Sequence, residues 1–190
     1  AVGDFFLPRA LRSRRVAENA LGSGGRVAIV QGRALEEKLS LFRGLLDDQL
    51  RNALRERAES LGKPLSEFRV AIKPAFMMGY DHRDRSMITD RELLVELGRF
   101  LKECGCDDVA VVEGRNLYDQ FYDNRSVLSV AKYFDISSPN FRVVDLSDEQ
   151  VPHVYFRGMA QYTVGKTWKD ADFRISFAKM RSHPVDLAHL

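Results

Sequence analysis

The groups in this chain that could do chemistry are cations and carboxylates placed just after short apolar runs. Lys73 leaves Val70-Ala71-Ile72 directly before Pro74, and Tyr80-Asp81-His82-Arg83-Asp84-Arg85 follows a few residues on. Glu113 and Arg115, separated by Gly114, leave the run ending at Val112, while Lys179, Arg181 and His183 leave the run ending at Ala178. Lysine and arginine donate charge-assisted hydrogen bonds to carboxylate and phosphate oxygens. Histidine and glutamate exchange protons near neutral pH when their surroundings shift them suitably. The set suits a pocket for a small anion, a carboxylate or a phosphate ester, with Lys73, Arg115, Lys179 and Arg181 as donors. His183 or Glu113 would be its acid or base. Pro74 stiffens the exit from its run and so fixes the direction in which the chain leaves Lys73.

Other readings of the same residues stay open. His82, Asp84 and His183 have the ligand chemistry for Zn²⁺ or a similar ion, provided the loop after Ile72 folds over the last run. The Asp81 to Arg85 alternation equally fits an exposed loop that pairs its own charges. Lys73 and His183 also fit as solvated side chains, and Asp119, Asp123 and Glu113 are scattered like solvated carboxylates. Gly165-Lys166-Thr167 resembles the end of a P-loop, but Ala160 stands where the earlier glycine is required and the segment precedes a strand. Gly22-Ser23-Gly24-Gly25 also precedes its strand, so it cannot place phosphate on a following helix. No G-x-G-x-x-G follows any predicted strand.

The elements that must position these groups follow from apolar periodicity. Strands are predicted at Arg26 to Gln31, Phe68 to Ile72, Asp108 to Val112, Phe141 to Leu146, Val154 to Phe156 and Phe173 to Ala178. A helix is predicted from Leu35 to Leu61, ended by Gly62 and Pro64. A second begins at Thr89, where Glu92 completes a capping box. A third runs from Asn124 to Phe134, and a helical turn covers Trp168 to Ala171. Alternation of strand and helix predicts an α/β fold with three layers: a mostly parallel, Rossmann-like sheet, helices on both faces, and room for an antiparallel edge strand. Ligands of such sheets sit outside the carboxyl ends of the strands. A parallel sheet would therefore bring Lys73, Glu113 and Lys179 to one rim.

Composition narrows the class. The 190 residues are 45% hydrophobic and 29% charged, ordinary for a globular chain with a sizeable core. A net charge of +2 gives no reason to expect nucleic acid. Residues 1–25 read as a basic arm with a Gly-rich tether, and residues 26–190 as a single α/β domain. The cysteines, Cys104 and Cys106, are too few for a structural zinc or an iron–sulfur cluster. They point to a reducing compartment. No apolar run approaches the roughly 20 residues that span a bilayer, so the expectation is a cytoplasmic protein without a membrane partner.

From Phe68 to His183 the chain resembles the bacterial and archaeal proteins called domain of unknown function 362. The resemblance rests on a strand ending in Lys73-Pro74, a helix start at Thr89-Asp90, a strand ending in Glu113-Gly114, and the strand Val143 to Asp145. It closes with Asp172, Ile175, Lys179, Arg181 and His183 in register. Ala75 replaces the Asn that usually follows Lys-Pro, and Arg181 and Ser182 replace a usual Lys and Thr. Arg for Lys exchanges a point donor for a planar fork. The resemblance implies a site at the strand exits and names no reaction; the cofactor is unknown. Many relatives carry a ferredoxin-like domain that has no counterpart here, so no iron–sulfur cluster is expected. Relatives also continue beyond the His, so this chain is expected to be truncated at its C-terminus relative to the family, either trimmed or a shortened protein. A further reading comes from the same comparison: an accessory domain that docks an electron-transfer partner or another subunit. Its contacts would be the basic arm and the aromatic loop Tyr118, Phe121 and Tyr122.

Overall fold

The structure, a computed structural model, describes residues 28–154 and 161–179. The chain divides into two compact units, residues 1–31 and 32–190. Of the first, residues 28–31 are described; they are coil, and Ile29 is 89% exposed. The strand expected at Arg26 to Gln31 is therefore not formed over its described part. An apolar run becomes a strand only against a partner edge, and no described strand pairs with these residues. The basic arm lies outside the described residues.

In the second unit, α1 (Leu35–Leu45) passes through a π-helical turn (Leu46–Leu50) into α2 (Arg51–Leu61). Periodicity predicted one regular helix, and the wider turn is a local departure within it. Gly62 ends α2 in the left-handed region at φ 59°, and Lys63 N–H donates to Ala58 O at 3.1 Å. That closure favours a residue without a Cβ. After it come β1 (Arg69–Pro74), α3 (Arg91–Glu103), β2 (Asp108–Glu113), α4 (Val127–Tyr133) and β3 (Arg142–Asp145). Then β4 (Gln150–Val154) and β5 (Gln161–Gly165) pair antiparallel, followed by α5 (Lys166–Asp170) and β6 (Phe173–Phe177).

The main sheet has the order β3-β2-β1-β6, every pair parallel. Alternation along its strands sorts side chains into two cores. Val70, Ile72, Val109 and Val111 face a large cluster that includes Leu54 of α2, Leu97 and Phe100 of α3, and Val130 of α4. Ala71, Ala110 and Val112 face the other way, onto Trp168 and Ala171. The expected helices on both faces are present but unequal. Small residues on the second face let the short α5 approach the sheet closely. Phe68, Phe76, Phe100 and Phe134 are fully buried, each stabilising the fold by about 1.5–3 kcal/mol relative to exposure.

Candidate functional site

From β1 the chain proceeds outward through β2 to β3, and β6 then returns to the opposite side of β1. The strand order thus reverses between β1 and β6. That is where open parallel sheets form a crevice at the carboxyl ends of their strands. A cleft of about 340 Å³ lies there, and Lys73, Phe76, Met77, Glu113, Asn116 and Lys179 are among its lining residues.

Lys73 and Glu113 occupy the ends of neighbouring strands, and their side chains meet across the cleft wall, Nζ to Oε1 at 2.9 Å. Glu113 is 5% exposed. Its other oxygen accepts from Gly114 N–H at 3.1 Å, and Phe76 N–H donates to the same carboxyl. Burial pushes this carboxyl above its usual range; the Lys73 ammonium and the backbone donors oppose the shift without cancelling it. A glutamate in that condition keeps its proton to higher pH than an ordinary carboxyl, which suits it to exchange one. Lys179 emerges from β6 on the same cleft and pairs with Asp90 at 2.8 Å.

Thr89 ties the two exits together. Its Oγ1 accepts from Ala75 N–H at 2.9 Å and donates to the Phe177 carbonyl at 3.0 Å, and Thr89 N–H donates to Ala75 O at 2.7 Å. Thr89 was expected to cap α3. The N-cap is instead Asp90, without a side-chain cap bond, because the Thr89 hydroxyl is committed to the strand ends. In the loop after β2, Asn116 and Asp119 form a reciprocal capping box. Arg125 then joins Asp119 at 2.8 Å to the Gly79 carbonyl at 2.7 Å and also reaches the Met77 carbonyl. The two loops over the cleft are therefore bolted to each other.

Of the residues singled out by sequence, Lys73, Glu113 and Lys179 are brought together. Arg115 is not among the lining residues; its guanidinium pairs with the buried Asp145 at 3.2 Å and with Asp148. Arg181 and His183 lie outside the described residues. His82 sits on Tyr133 and Phe134, with Nε2 3.4 Å from Asp135 and 2.9 Å from the Arg85 guanidinium. Asp84 accepts from Ser86 N–H at 2.9 Å within its own turn. Among the described residues, no three His, Cys, Asp or Glu side chains are grouped as metal ligands. The Asp81 to Arg85 run pairs partly within itself, Asp81 with Arg83 at 2.9 Å. Asp119 is buried against Arg125, so it is not the solvated carboxylate that its spacing suggested. Asn116, Met77 and Thr89 were not picked out by sequence as parts of a site. Asn116 carried a local signal, an Asn three residues before an Asp, and the signal at Thr89 was for a helix start.

A family model described as domain of unknown function (DUF362) matches residues 70–186, more than half of the chain. Comparison with curated proteins and with solved structures gives no match.

Proposed function

The chain belongs to the domain of unknown function 362 family, and from that premise we propose that its cleft binds a small anion, a carboxylate or a phosphate ester. Lys73 and Lys179 are the donors and Glu113 the acid or base. The observation that carries this reading is the convergence of three segments distant in sequence, the exits of β1, β2 and β6, on one cleft where the strand order reverses. Arg181 and His183 follow Lys179 in the chain and complete the donor set in this reading, His183 as a second candidate acid or base.

Thermal shift with sulfate, phosphate and oxalate tests it. At least one anion is expected to raise Tm. A charge-assisted hydrogen bond contributes about 1.5–3 kcal/mol, so Lys73→Ala and Lys179→Ala should each weaken binding roughly tenfold or more. If no anion shifts Tm in the wild-type chain, the cleft is not an anion site.

A specific observation favours a second reading, an interaction domain for an electron-transfer partner or another subunit. Leu117, Tyr118, Phe121 and Tyr122 are 66–76% exposed on a loop that the Asn116–Asp119 box and Arg125 hold rigid. Aromatic side chains on a fixed loop are the usual anchors of protein interfaces. Light scattering over a concentration series separates the two readings: self-association that Phe121→Ser abolishes supports this one, and a monomer at every concentration counts against a homomeric contact.

A further inference from the structure

The Glu113 carboxylate has three donors of unlike character. Gly114 N–H and Phe76 N–H are backbone groups and stay in place. Lys73 is a flexible side chain, 41% exposed, that lines the cleft and also donates to Pro74 O at 3.1 Å. Among the described residues, Lys73 is the cation ion-paired with Glu113. Two other charges beside the cleft, among the described residues, have their own partners. Lys179 from the β6 exit holds Asp90 at 2.8 Å. Asp145, the register partner of Glu113 on β3, is neutralised by Arg115 at 3.2 Å. An anion that draws the Lys73 ammonium to itself leaves Glu113 without the ion-pair partner that the described residues supply. If both stayed ionised, two negative charges would face each other beside a buried wall, where repulsion is weakly screened.

Resting on the anion-site reading, we propose that ligand binding in this cleft is proton-coupled: an anion that takes Lys73 from Glu113 is bound together with one proton, which Glu113 accepts. The proton comes from solvent and settles on Oε1, the oxygen that Lys73 vacates. No bond of the ligand breaks. The neutral carboxyl then turns from a competitor into a donor, offering Oε1–H to the anion. Burial already favours the protonated form, and loss of the Lys73 contact removes a main opposing influence.

Calorimetric titration of the full chain with sulfate and with oxalate tests the coupling, since both probes stay fully ionised near neutral pH and any proton taken up on binding belongs to the protein. In two buffers of unlike ionisation enthalpy the heats should differ in the sense of proton uptake. Affinity should fall as pH rises, by up to about tenfold per unit. Glu113→Gln should bind with equal heats in both buffers and with pH-independent affinity. Carboxyl ¹³C NMR of the wild-type chain gives a readout that needs no variant: the Glu113 midpoint should move up when the cleft is saturated. Uptake seen with sulfate alone supports the coupling for a phosphate ester, and uptake with oxalate alone supports it for a carboxylate. Binding with equal heats in both buffers and a flat pH profile overturns the coupling but leaves the anion site standing. No binding of either probe overturns both.

Discussion

At the scale of single residues, the two cleft lysines are held with unequal strength. The Lys179–Asp90 pair is exposed at 31% and 43%, and pairs of that kind contribute about 0–1 kcal/mol. Lys179 can thus turn to a ligand at little cost. Glu113 is the opposite case, a buried carboxyl whose ionisation the fold resists. A folded-state pKa above the usual 4.5 means that its contribution to stability is complete below that pH and is lost as pH rises through the folded value. Glu113→Gln should therefore gain in Tm relative to wild type as pH rises from about 4.5, the usual value, through the folded one. A urea or thermal series read across that range checks it; an equal pH response of both proteins would contradict it. Asp172, just before β6, runs the other way. Burial pushes its carboxyl up, but Lys63 Nζ at 2.6 Å, Arg69 N–H at 2.9 Å and the Arg69 guanidinium outweigh that and hold it at about 2. Its stabilisation is present above its usual 3.8 and disappears as pH falls towards 2. Asp172→Asn should lose about 1–3 kcal/mol near neutral pH, with the gap closing below pH ~3 in equilibrium unfolding.

At the scale of elements, Thr89 extends the β1–β6 pairing into the cleft, because one hydroxyl bridges the two exits. Thr89→Val keeps the shape but leaves Ala75 N–H and the Phe177 carbonyl without that partner, which costs about 1–3 kcal/mol. It should also weaken sulfate binding, and Thr89→Ser should restore both. Loss of stability with unchanged sulfate affinity would show that the bridge does not set the cleft. How far such features are legible in sequence follows from the physics of each. Strands β1, β2, β3 and β6 are readable because apolar runs with strand-forming residues meet polar exits. Of the strand predicted at Val154 to Phe156, Val154 closes β4 and the other two residues lie outside the described ones. β4 alternates between half-buried and exposed positions and contains Pro152, which weakens the pattern of a paired strand. Thr89 and Glu92 carry the spacing of a capping box, yet tertiary bonds claim the hydroxyl, and no local pattern reports a partner 88 residues away. The convergence of Lys73, Glu113 and Lys179 was readable, since parallel topology alone requires it. The turn of Arg115 towards Asp145 was not, because it depends on which neighbouring carboxylate is buried.

At the scale of the whole molecule, the sheet is asymmetric in its supports. One face carries most of the helices and the large aromatic core, while the other relies on α5 against Ala71 and Ala110. Enlarging Ala110 to Leu should push α5 off and cost about 1–3 kcal/mol through overpacking, as read by chemical denaturation. The same enlargement at an exposed site such as Ser60 should cost almost nothing. No helix among the described residues is long and apolar enough to cross a membrane.

The position of β1 has a consequence for how the chain is made. It pairs on one side with β2, close behind it, and on the other with β6, Val70 meeting Phe173. During synthesis one row of its amide and carbonyl groups waits until nearly all of the intervening polypeptide has left the ribosome. Closing so distant a pair is slow, and a bare strand edge invites pairing with a neighbouring nascent chain. Chaperone demand should accordingly begin once β1 emerges and collapse once Phe173–Phe177 follows it.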